Sequence, residues 1–151
     1  MQIVTLWYRS PEILLGLDVY TTAVDMWSAG CIFAEFLTKK PLFPGKSEAD
    51  QVDLIFRLLG TPTEDEWPGW TKLPRVRELR VKAYPPQSLR AALNVGVTAF
   101  GGIPFISDAG IDLLRALLAR DPARRITASE ALRHRKFAES PPATDPRLMP
   151  A

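Results

Sequence analysis

Between Ala23 and Thr38, 11 of 16 residues are apolar, and on a 3.6-residue repeat they surround the axis instead of lining one face. A helix apolar on every side belongs at the centre of a domain, with other elements packed around it. Residues 22–37 are therefore expected to form the central helix, with Thr22 and Asp25 at a spacing like that of a capping box. The rest of the chain offers it partners. Residues 47–59 place Val52, Ile55, Phe56 and Leu59 on one face behind Ser47, a capping residue, and Gly60 and Pro62 end the run. Ser107 opens a similar helix with Ile111, Leu114, Leu117 and Leu118 inward, stopped at Asp121-Pro122. Short helices are expected at 11–15, where Pro11 suits a first turn, at 87–93, and after two capping boxes, Thr63–Glu66 and Thr127–Glu130, the latter running to about His134. Scattered prolines and glycines make 68–106 mostly irregular, and the proline-rich end from Ser140 reads as an extended tail. No strand-like alternation occurs. The expected fold is mainly α, a helical bundle around one apolar helix.

Composition narrows the function classes. At 151 residues, 46% hydrophobic and 24% charged, the chain suits one soluble globular domain. A net charge of +2 gives no ground for expecting nucleic acid or a membrane surface as partner. No run approaches the roughly 20 apolar residues of a membrane span, and the start lacks the pattern of a signal peptide. Cys31 is the only cysteine, so an internal disulfide is impossible and a reducing compartment fits; the thiol is either a small core group or a reactive one. His134 has no Cys or second His nearby, so no metal site is expected. Residues 75–82, Arg-Val-Arg-Glu-Leu-Arg-Val-Lys, are either a solvated loop or a docking patch.

Three segments share a resemblance. Thr5-Leu-Trp-Tyr-Arg-Ser-Pro-Glu12 resembles the end of the protein kinase activation segment, with Ser10 in place of the Ala of its Ala-Pro-Glu signature. Asp25-Met-Trp-Ser-Ala-Gly30 is similar to the opening of the kinase central helix, and Arg120-Asp-Pro-Ala-Arg-Arg125-Ile-Thr to the segment before the last kinase helix. Pro41-Leu-Phe-Pro-Gly45, Leu59-Gly-Thr-Pro62 and Trp67-Pro-Gly69 look like cyclin-dependent kinases, and residues 22–28, 144–146 and 149–150 look most like the PITSLRE branch and its plant-type relatives. The resemblance implies a C-terminal kinase lobe over 1–138 and a tail over 139–151.

It also implies residue roles. Thr5 matches a threonine that bonds the catalytic aspartate and helps hold the substrate loop, although it could be an ordinary surface residue. Arg9 matches the arginine shaping the loop that receives the residue after the phosphorylated Ser/Thr, usually proline. Trp7 and Tyr8 would pack around it, and core packing explains their bulk equally well. Glu12 and Arg125 match a buried structural ion pair, with Arg124 as the competing partner. Asp25 matches an aspartate that accepts N–H bonds from the catalytic loop, or is a plain cap.

A complete kinase of this family would use ATP and Mg²⁺, act on protein substrates, bind a cyclin and reside in the nucleus. Yet the 151 residues contain no Gly-x-Gly-x-x-Gly, no His-Arg-Asp and no Asp-Phe-Gly. The expectation is a partial kinase, with no cofactor of its own and inactive alone, or a non-catalytic lobe that docks substrates or regulatory subunits through residues 47–75.

Overall fold

A computed structural model describes residues 6–93, 106–140 and Arg147. Among these the regular structure is entirely helical: α1 (Pro11–Leu14), α2 (Ala23–Thr38), α3 (Glu48–Leu59), α4 (Leu89–Ala92), α5 (Asp108–Leu117) and α6 (Ala128–Leu132), with 3₁₀ turns at Leu6–Tyr8, Trp70–Lys72 and Arg135–Ala138. Most of the tail, and residues 94–105, lie outside the described set. No described helix is long and apolar enough to cross a membrane.

Local chemistry explains most boundaries. Ser47, Ser107 and Thr127 are in extended backbone and accept from the N–H of Asp50, Gly110 and Glu130 at 3.2, 3.1 and 3.3 Å. Glu130 returns the bond to the Thr127 N–H at 2.9 Å, completing the capping box. Thr63 and Glu66 exchange the same two bonds, but they close a turn and no helix follows. Trp67 precedes Pro68, which disfavours helical backbone, and Gly69 has φ +79°. The cap expected at Thr22 is absent. Its own backbone is already helical, so its hydroxyl is not aimed back at the first turn; Thr21 Oγ1 accepts from the Ala23 N–H instead, at 3.3 Å.

α2 packs against α5 at close range. A Cβ on Gly30 would lie 2.9 Å from both Leu117 Cβ and Leu118 Cδ2, so the crossing requires glycine there. Trp27, Cys31 and Ala34 complete the covered face, with Trp27 stacked on Phe43 at 6.0 Å between centroids. Across the core Phe56 meets Trp70 edge-on. The expectation that α2 is surrounded holds for that face only. Asp25, Ala29, Ile32 and Phe36, successive positions on one side, are exposed.

Candidate functional site

The 3₁₀ turn Leu6–Tyr8 and Arg9 form a short loop seated against α2 and α3. Its chemistry starts with Gln51, wholly buried on the otherwise apolar face of α3. A buried amide must satisfy both ends. Its Oε1 accepts from the Gly45 N–H at 3.0 Å and its Nε2 donates to the Trp7 carbonyl at 3.2 Å. The Trp7 indole N–H donates to the Gly45 carbonyl at 3.0 Å, so loop and α3 approach are stitched twice. A Cβ on Gly45 would fall 2.3 Å from Gln51 Oε1, so this junction also requires glycine.

α2 holds the other side. Ser28 Oγ donates to the Tyr8 carbonyl at 3.0 Å, and the Tyr8 phenol donates to Glu35 at 2.6 Å. That bond, then burial, pushes the phenol's pKa above its ordinary value. Arg9 Nη1 reaches Glu48 at 2.5 Å, and the second oxygen of Glu48 takes Arg75 at 2.6 Å. Arg75 also donates to the Leu14 carbonyl at 3.2 Å and pairs with Glu78, which with Glu48 raises its pKa. Residue 75 is therefore an anchor tying the 75–82 stretch to α1 and α3, not a solvated side chain. Trp7, Tyr8 and Arg9 are thus brought together; Thr5 lies outside the described residues. Asp25 is exposed in the first turn of α2 with no side-chain hydrogen bond among the described residues.

Below the loop, α1 carries Glu12 into the core. Arg125 donates to both its oxygens at 2.8 Å, and both side chains are almost wholly buried. The other guanidinium hydrogens go to the carbonyls of Ala119, Ala23 and Arg120 at 2.9, 2.6 and 3.3 Å, and Trp27 lies under the plane at 5.2 Å. Arg124 turns outward to the Asp65 carbonyl. Cys31 is buried, and burial pushes its thiol up to about 12, which makes it an inert core group. His134 accepts from the Lys136 N–H through Nδ1.

Sequence reading missed Gln51, Glu48, Glu35 and Arg75. Gln51 carried a signal: it is the one polar residue in the apolar row continued by Val52, Ile55 and Phe56.

Residues 1–137 match the family model for the protein kinase domain. Over 98% of its length the chain is 49% identical to cyclin-dependent kinase 11B of Homo sapiens, 51% to cyclin-dependent kinase G-2 of Oryza sativa subsp. indica and 47% to cyclin-dependent kinase 11 of Dictyostelium discoideum. It spans 18%, 20% and 38% of those proteins respectively.

Proposed function

The chain belongs to the protein kinase family and to its cyclin-dependent group, and from that membership we propose that its residues form the substrate-holding part of a serine/threonine kinase. The observation that carries this reading is the double anchoring of the loop at residues 7–9. Two helices hold it through Ser28, Glu35, Glu48 and Gln51, so its outer side is a fixed surface for an incoming polypeptide. Proline is the proposed residue after the target Ser/Thr, since its ring has no N–H to satisfy. Thr5 and Asp25 are proposed to steady the catalytic loop; the Asp25 carboxylate is exposed to receive its N–H groups.

The residues present do not fit ATP with Mg²⁺. The phosphate and metal motifs are missing from the 151 residues, and the described residues include no group of three His, Cys, Asp or Glu able to hold a metal. No step of phosphate transfer is assigned to them. In the whole protein, ATP, Mg²⁺, a cyclin and a nuclear location are proposed by membership, with the catalytic groups outside these residues.

A second reading, a non-catalytic docking lobe, is favoured by a cavity of about 280 Å³ between α3 and residues 79–84, lined by Asp50, Asp53, Phe56 and Tyr84.

Purified chain given Mg²⁺, ATP and a Ser-Pro peptide should transfer no phosphate. Transfer that persists after rigorous removal of contaminating kinases would defeat the proposal of inactivity. In the whole protein, Arg9→Ala should erode the preference for Ser-Pro over Ser-Ala peptides. A catalytically dead whole protein that still captures regulatory subunits would favour the docking lobe.

A further inference from the structure

The turn after α3, the segment before α4 and the end of α5 enclose a second cavity, of about 420 Å³, that shares no lining residue with the loop at 7–9. Its size is that of a site for a small molecule or a few side chains. The floor is apolar, formed by Leu59, Leu89 and Leu118, the last two almost fully buried. Arg120 makes a fixed wall, donating to the carbonyls of Leu59 at 2.7 Å and of Gly60, and to Glu66 at 3.0 Å.

The charges of the lining do not cancel at its rim. Glu66 is spent on the Thr63 N–H and on Arg120, and these bonds, the backbone one first, hold its carboxyl below the usual range. Asp121 accepts from the Ala123 N–H at 2.9 Å. Arg115 is exposed and has no hydrogen-bond or ion-pair partner among the described residues. Arg124 gives one N–H to the Asp65 carbonyl and meets Asp121 only at 3.7 Å, leaving most of its donors to solvent. A neutral apolar ligand would leave both guanidiniums unanswered, and a small inorganic anion would leave the apolar floor wet.

We propose that this cavity docks an acidic peptide segment bearing one bulky apolar side chain, with the apolar group on Leu89 and Leu118 and flanking carboxylates on Arg115 and Arg124. This site goes beyond the substrate-holding role and does not depend on it.

Anisotropy titration of the purified chain with fluorescein-labelled Asp-Glu-Leu-Asp-Glu tests it. Saturable binding is expected, weakened about tenfold or more by Arg115→Glu and to a similar degree by Ala for Leu in the peptide. Arg115 is exposed, so its variant should keep the parent's circular dichroism; if it does not, Arg124→Glu takes its place. No saturation at millimolar peptide would overturn the proposal. So would equal binding by the charge-reversed variant or by the Ala peptide. Tripolyphosphate competing as well as the peptide would equally overturn it, because the apolar floor would then be idle.

Discussion

Every hydrogen of the Arg125 guanidinium has an acceptor: two go to the Glu12 carboxylate and three to backbone carbonyls. The pair joins positions 113 residues apart, so it ties α1 to the segment before α6. Burying two charges is favourable only with such complete satisfaction, and removing one leaves the other uncompensated. Arg125→Ala should therefore cost about 3–5 kcal/mol. Arg124→Ala, at a side chain 57% exposed, should cost about 1 kcal/mol or less. Urea unfolding of both variants checks this, and equal midpoints would refute it. Close by, the Ser10 hydroxyl shows the opposite condition. It is fully buried, caps nothing and has no partner among the described residues. An unpaired buried hydroxyl costs about 1–3 kcal/mol, so Ser10→Ala, which installs the residue of the Ala-Pro-Glu signature, should stabilise the chain by roughly 1 kcal/mol. A lower melting temperature for the variant would show that the hydroxyl is satisfied.

Beside the Arg9–Glu48 ion pair, α3 joins the loop to the core through one buried amide, and the loss of that amide should be felt on both sides. Gln51→Leu keeps the volume but strips acceptor and donor from the Gly45 N–H and the Trp7 carbonyl. The Gly45 N–H keeps its bond to the Phe43 carbonyl at 2.9 Å, but the Trp7 carbonyl is left unpaired, so the variant should lose about 1–3 kcal/mol, and Trp7 should show a changed fluorescence environment. Unaltered stability would mean that water replaces the amide without penalty. The same residue shows where sequence reading stops. The helices themselves were legible, because caps and 3.6-residue periodicity are local: Ser47, Ser107 and Thr127 all cap as expected. What Gln51 bonds is not local, since Trp7 lies 44 positions away. Arg75 is similar; its stretch left solvated loop and docking patch open, and its guanidinium is settled by Leu14, 61 positions distant. Thr22 misled for a different reason, because residue type alone does not reveal that its backbone has already turned helical. The pairing of Glu12 with Arg125 and not Arg124 was reachable only through the family resemblance.

Among the described residues the outstanding large-scale feature is an apolar helix, α2, with one side open. Ile32 and Phe36 are 45% and 67% exposed, and together with Tyr8, Glu35 and Lys39 they border a cavity of about 470 Å³. Val19 and Tyr20, just before α2, add further exposed apolar area. A folded monomer seldom leaves a continuous patch beyond a few hundred Å² uncovered without a partner for it. In a whole kinase the catalytic-loop segment is proposed to cover this side of α2, which would place Asp25 and the stripe beneath one neighbour. The isolated chain should accordingly bind a hydrophobic dye strongly and self-associate as concentration rises. Ile32→Ser with Phe36→Ser should suppress both. The double variant should change stability little, because these exposed side chains contribute about 0.5 kcal/mol or less each. The two readouts separate the open face from simple unfolding. Dye binding that falls while the urea midpoint stays constant assigns the patch to α2. Dye binding unchanged in the variant would place it elsewhere, at Leu132 or Phe137, both also exposed. A parent chain that stays monodisperse and ignores the dye would show that the stripe is too small to act as an uncovered interface.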